Sequence, residues 1–172
     1  MIGAAMIPAG ACEEVRAELI GLLLPGQRKL HWTDESEPRR RKIVARMCEL
    51  EPVNVVVTHL SARQRKTERF RRKCLESLYY ELAPMRVFDL TLESRSPDQD
   101  ARDRAHIVAL QGQGLHAAIR VVHRRGGDEP LLWIADTVLG AINSAHLGQA
   151  DYLEALAGTI IVQHRTPDSL VP

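Results

Sequence analysis

Hydrophobic and polar positions follow two rhythms along the chain, one with the period of a strand and one with that of a helix. Ile2 to Ile7 is a short apolar run stopped by Pro8 and is predicted to be a strand. Glu13 to Leu24 carries helical spacing and ends at Pro25-Gly26, and Lys29 to Trp32 is a candidate short strand. Pro38 sits where a first-turn proline belongs, and Ile43, Val44, Met47 and Cys48 then recur at helical intervals. Val53 to Thr58, rich in valine and bounded by Pro52, is a buried-strand candidate. A long helix is expected from about Arg63 to Leu82, with the stripe Phe70, Cys74, Leu78, Leu82 at i+4. Arg86 to Glu93 alternates at period two, with Phe88, Leu90 and Leu92 on its apolar face. Asp98 to Gln111 is helical, Ala117 to His123 strand-like, Pro130 to His146 helical, and Ile160 to Gln163 a last short strand. Strands and helices in alternation predict an α/β protein, a mixed sheet flanked by helices.

Composition narrows the class. At 172 residues, 45% hydrophobic and 26% charged, the chain is expected to form one domain, 1–172, with a packed core. Aromatic residues are only 4%, so there is little from which to build a base-stacking platform. Cys12, Cys48 and Cys74 are odd in number and widely spaced, which argues against a disulfide framework or a zinc knuckle. The first basic residue is Arg16, so the apolar start lacks a signal peptide's positive region. The run Leu19 to Leu24 falls far short of the ~20 residues a spanning helix needs. A cytoplasmic protein without a membrane partner is expected.

Charge changes the picture more than composition does. The net charge is +1, yet Ser61 to Leu75 holds Arg63, Arg65, Lys66, Arg69, Arg71, Arg72 and Lys73 against Glu68 alone. A second cluster is Arg39, Arg40, Arg41, Lys42 and Arg46 with Glu37, while Gly126 to Pro172 has six acids against Arg165. Positive stripes of this kind either line a phosphate backbone or form a solvated helix face.

Candidate chemistry rests on a few ionisable residues. Asp136 shares a helix face with Leu132, Trp133 and Leu139, and a carboxylate there needs a cation, a metal or several donors. Either it marks a functional site, or the helix is turned so that Asp136 rims the core and meets an arginine. Glu93 ends a strand, where sites collect in α/β sheets. Asp100, Asp103 and His106, at i, i+3 and i+6, share one helix face; they are either a ligand or base set or acids placed to suit the helix dipole. His31, beside Trp32, reads as a structural histidine. Serine-hydrolase, zinc-protease and P-loop motifs are absent, and Gly112-Gln-Gly114 lacks the third glycine of a dinucleotide site.

Three segments, Arg28-Lys-Leu-His-Trp32, Leu92-Glu-Ser-Arg95 and Pro130-Leu-Leu-Trp-Ile-Ala-Asp-x-x-x-Gly140, resemble an uncharacterised bacterial family. It is similar to a branch of the ribonuclease H-like superfamily and opens with a strand ending in Asp-Glu-Ser. The resemblance implies a ribonuclease H-like three-layer fold and a Mg²⁺- or Mn²⁺-dependent nuclease. Glu93 and Asp136 would be metal ligands and catalytic carboxylates, joined by Asp100 as ligand and Asp103 as catalytic group. Arg63, Arg65, Lys66, Arg69, Arg71 and Arg72 would lie at the nucleic acid. Ile2 to Ile7 is similar to the family's second strand, so the resemblance implies that the first strand and its aspartate lie upstream of Met1, or that the site is degenerate, or that another carboxylate substitutes. The alternative implied is an inactive nucleic-acid-binding or assembly module of the same fold. A missing central strand would leave a sheet edge unpaired, so a homo-oligomer, a dimer, is expected to complete it.

Overall fold

The computed structural model describes residues 1–61, 67–115, 118–167 and 169–170. Among them the strands are β1 (Ile2–Met6), β2 (Val53–Thr58), β3 (Asp89–Glu93), β4 (Arg120–Arg124) and β5 (Ile160–Arg165). The helices are α1 (Cys12–Ile20), α2 (Glu37–Leu50), α3 (Thr67–Leu82), α4 (Pro97–Gly112), α5 (Leu132–His146) and α6 (Asp151–Leu156). The protein is α/β, as its alternation predicts, with a three-stranded sheet in the order β1-β2-β5 and a two-stranded sheet of β3 and β4. No helix among the described residues is long and apolar enough to cross a membrane.

The chain divides into two compact units. The first comprises Met1–Ile2, Val55–Arg125 and Val162–Pro172. Its β3 and β4 run parallel in the register Asp89↔Arg120 to Glu93↔Arg124. Parallel neighbours need a crossover, and α4 supplies it. Leu90 and Leu92 are buried while Asp89 and Glu93 are exposed, so the period-two pattern sets which face packs. The strand starts later than its alternation suggests. Arg86 takes a left-handed φ of 56° behind the 3-10 turn Ala83–Met85, and Phe88 stays 52% exposed. Likewise β4 is Arg120–Arg124, with Ala118 and Ile119 ahead of it outside the strand; the expected start at Ala117 lies outside the described residues. Helix α3 buries Cys74, Leu75, Leu78, Tyr79 and Leu82, the stripe its spacing predicts, while Phe70 stacks on His59. Ser96 caps α4 by accepting from the Gln99 N–H, and the Gln99 side chain accepts from the Ser96 N–H. This reciprocal box fixes where the chain turns from β3 into α4.

The second unit comprises Gly3–Asn54 and Gly126–Ile161. Its organising residue is Trp32, 6% exposed. The segment Lys29 to Trp32 is not a strand: His31 is extended and Trp32–Asp34 make a 3-10 turn. Helix α5 presents one residue per turn to this tryptophan. Asp136 Oδ2 accepts from the Trp32 backbone N–H at 2.8 Å, and Ser144 Oγ accepts from the indole N–H at 3.2 Å. Between them Gly140 leaves the room that the ring fills, since a Cβ there would come within 2.1 Å of Trp32 Cγ. On other sides Arg40 lies over the ring at 5.0 Å, and Tyr152 of α6 meets it edge-on at 5.0 Å. Positions 136, 140 and 144 are four apart, so one stripe of α5 holds the backbone, the ring and the indole nitrogen of a single residue.

The glycine is thus required by packing, and the sign of a substitution separates two effects. Helix propensity alone favours Gly140→Ala by about 1 kcal/mol. Contact with both the Trp32 ring and its Cβ opposes it by about 1–3 kcal/mol. We expect Gly140→Ala to lower the urea midpoint, and a raised midpoint would show that Trp32 yields freely.

Candidate functional site

The densest cluster of ionisable side chains lies in the first unit, around α4. Asp100, Asp103 and His106 are 6%, 5% and 8% exposed, so the face their spacing predicts is buried. Asp100 Oδ2 accepts from the Ser94 hydroxyl at 2.6 Å, and Oδ1 accepts from the Arg95 backbone N–H at 2.9 Å. These two bonds, the Ser94 hydroxyl first, hold its carboxyl below the usual carboxylate range. Asp103 receives two guanidiniums. Arg71 of α3 donates through Nη2 at 2.9 Å and Nε at 3.1 Å, and Arg95 donates through Nη2 at 3.2 Å. Arg95 also donates through Nη1 to Glu68 at 2.6 Å, which lowers the Glu68 pKa. Arg95 therefore clamps the β3–α4 connection to α3 through two carboxylates.

Two histidines border this cluster, and arginines fix which of their nitrogens carries the proton. The Arg72 Nε–H donates to His106 Nδ1 at 3.1 Å, and Arg104 Nη1 approaches His123 Nδ1 at 3.4 Å. Arginine has no acceptor, so Nδ1 must accept and the neutral ring carries its proton on Nε2. For His123 that Nε2 is buried without a hydrogen bond, 3.9 Å from both Asp100 Oδ1 and Asp103 Oδ2. For His106 it lies 3.6 Å from Glu76 Oε2. Burial, then the charge of Arg72, depresses the His106 pKa below its ordinary 6.5, with Glu76 opposing.

This geometry bears on the divalent metal that the family resemblance implies. The carboxylate oxygens of Asp100 and Asp103 already accept from a hydroxyl, a backbone N–H and two guanidiniums, and His123 turns a protonated nitrogen toward them. Among the described residues no group of three or more His, Cys, Asp or Glu is placed to hold a metal. The residues around Asp100 and Asp103 do not fit the ion.

The remaining candidates are dispersed. Glu93 ends β3 in the first unit, exposed, with Arg124 as its register partner. Asp136 lies in the second unit, where its partners are the Trp32 amide and His31, not an arginine. His31 Nδ1 is 3.2 Å from Oδ1 and 3.1 Å from Oδ2. Of the six basic residues expected at nucleic acid, Arg63, Arg65 and Lys66 lie outside the described residues. Arg69 and Arg72 are exposed, whereas Arg71 is turned inward to Asp103. Arg95 and His123 are members of the cluster that the sequence does not single out, although β4's period-two rhythm puts His123 on the inward face with Val121.

Charge separates with the units. The first contains 15 Lys and Arg against 9 Asp and Glu, a net +6; the second contains 8 against 13, a net −5, which together give the overall +1. Compared with protein families, with curated proteins and with solved structures, the chain matches none.

Removing the charge at Asp103 strands two partly buried guanidiniums, and Asp103→Asn is expected to cost about 3–5 kcal/mol in denaturant unfolding. For His106, the folded state binds its proton less readily than the unfolded chain. Its contribution to stability is complete above pH 6.5 and is lost as pH falls toward the depressed folded value. His106→Asn, which offers Arg72 an oxygen, should flatten the fall in unfolding free energy between about pH 7 and pH 5. An unchanged slope would place that proton uptake elsewhere.

Proposed function

We propose that this chain is a nucleic-acid-binding module of ribonuclease H-like type, in which Asp100 and Asp103 serve structure and the basic unit meets the phosphate backbone. The observation that carries the reading is the net +6 of the first unit, against a net −5 in the second. Segregation of charge this pronounced attracts polyanions by counterion release, an effect that needs no base recognition. The internal ion pairs support the same reading. Arg71 and Arg95 are spent on Asp103 and Glu68, and Arg72 and Arg104 contact His106 and His123, while Arg69, Arg102, Arg124 and Arg125 are exposed. Few aromatic residues accompany them, which suits backbone contact better than base stacking. The sequence resemblance favours the ribonuclease H-like assignment, and the fit of Asp103 to two guanidiniums, and of Asp100 to a hydroxyl and a backbone N–H, in place of metal favours binding over hydrolysis at α4.

The test is binding of single- and double-stranded oligonucleotides, read by fluorescence anisotropy across a salt series. Affinity should fall steeply with salt, and Arg69→Glu with Arg102→Glu, both exposed, should weaken binding to all sequences alike. The salt slope should drop by about one for every phosphate that is no longer neutralised. Binding that is absent at low salt, or unchanged in the double variant, removes the proposal. Hydrolysis of the bound strand that requires Mg²⁺ or Mn²⁺ and is abolished by Asp103→Asn in protein that circular dichroism shows still folded would return the α4 carboxylates to catalysis.

A further inference from the structure

The acidic second unit holds a pocket of about 290 Å³ where α2 runs into β2 and α6 leads toward β5. Cys48, Glu51, Val53, Gly158, Thr159 and Ile161 are among its lining residues, and all of them belong to this unit. Val53 and Ile161 are exposed apolar side chains on strands that neighbour each other in the sheet. Glu51 sets a carboxylate beside them. It does so from a left-handed backbone, φ 47°, at a helix end where glycine is the relaxed choice. At roughly 30 Å³ for each water-sized group, the pocket admits about nine non-hydrogen atoms.

Charge at this pocket has one sign. Among the described residues no arginine or lysine lines it, and Glu51 has no ion pair. Arginines of α2 are occupied elsewhere, Arg41 by Glu37 and Asp151 and Arg46 by Glu18 and Glu49. The C-terminal end of α2 adds the negative pole of its dipole, and neither α2 nor α6 has a basic residue in its last turn. In the wall, Thr159 donates to the Leu156 carbonyl at 2.8 Å and accepts from the Asn54 amide at 3.0 Å, while Asn54 Oδ1 is buried with no hydrogen-bond partner among the described residues. A metal ion is a poorer match than an organic cation. Burial raises the Cys48 thiol above its ordinary range, and its S–H donates to the Ala155 carbonyl at 3.3 Å, which leaves Glu51 as the anionic donor of the lining. Apolar walls with one carboxylate between them suit a protonated amine on a short alkyl chain.

We propose that this pocket binds a small primary alkylammonium ion, with the ammonium on the Glu51 carboxylate and the alkyl chain against Val53 and Ile161. A nucleotide is too large for the space and carries the wrong charge, so this site is independent of the nucleic-acid binding proposed for the basic unit. Gly158 controls how much of the space stays open. A Cβ there would meet nothing within 4 Å, so a longer side chain can be added toward the pocket without displacing a neighbour.

The experiment is a titration of the full ¹⁵N-labelled chain with n-butylamine, n-butanol and Mg²⁺ in parallel, followed by ¹H–¹⁵N NMR. The amine should shift signals of residues 48–53 and 155–161 saturably, and neither the alcohol nor the metal should do so. Glu51→Gln should weaken the amine about tenfold, the loss expected for a hydrogen bond to a charged group. Glu51→Gly should also lose binding while raising the urea midpoint, because it relaxes the left-handed backbone, so that loss of the ligand is not loss of the fold. Gly158→Met should block the amine and leave the circular dichroism unchanged. The inference is overturned by the absence of a saturable shift at these residues, by shifts spread evenly over the acidic unit, by an equal response to n-butanol or Mg²⁺, or by unchanged affinity in Glu51→Gln.

Discussion

A carboxylate taken out of water must find a cation or several donors, and Asp103 finds both in arginine. Its side chain is 6% exposed and takes guanidinium bonds from Arg71 of α3 and from Arg95 behind β3. Those bonds tie a helix to the crossover that joins two parallel strands. They also set which way α4 turns, because Asp103, Asp100 and His106 lie on one face and are buried together. The two arginines neutralise inside the protein what a metal would neutralise at an active centre. The same residue types that suggest ion coordination in the sequence thus serve as internal counterions.

Much of the first unit is legible in the sequence because its signals are periodic. The apolar stripe of α3 and the period-two face of β3 are plain, and the spacing of Asp100, Asp103 and His106 places all three on one helix face. The part that stays hidden depends on pairing between distant positions. Arg71 meets Asp103 across 32 residues, and no local pattern distinguishes it from exposed Arg69 or from Arg72, which reaches His106 instead. Asp136 is a further case. Its discord with its apolar neighbours is visible, but the partner that resolves it is a backbone N–H 104 residues away, outside the reach of any charge-counting argument. Helix α6 is not legible at all, because six residues, Asp151–Leu156, span less than two turns and give periodicity too little to work with.

The segments Arg28 to Trp32, Leu92 to Arg95 and Pro130 to Gly140 share a physical role. Arg28-Lys-Leu-His-Trp32 brings the tryptophan and the histidine; Pro130 to Gly140 brings the carboxylate that holds both and the glycine that admits the ring. Either segment would be costly alone: Asp136 without donors on a largely apolar helix, or a buried tryptophan without a seat. Leu92-Glu-Ser-Arg95 brings the Arg95 clamp in the other unit. Each segment therefore closes a polar requirement that another part of the chain opens.

The seating of Trp32 in α5 has an optical consequence. The chain has two tryptophans, Trp32 and Trp133; both are buried in the second unit, and the indole nitrogens donate to Ser144 and to the Gly126 carbonyl. The first unit has none. Intrinsic emission excited at the red edge of the indole band is thus a reporter of one half of the molecule, whereas far-ultraviolet circular dichroism sums over both. Coincidence of the two signals during unfolding would mark a single cooperative transition, and their separation would reveal a half that melts unseen by fluorescence.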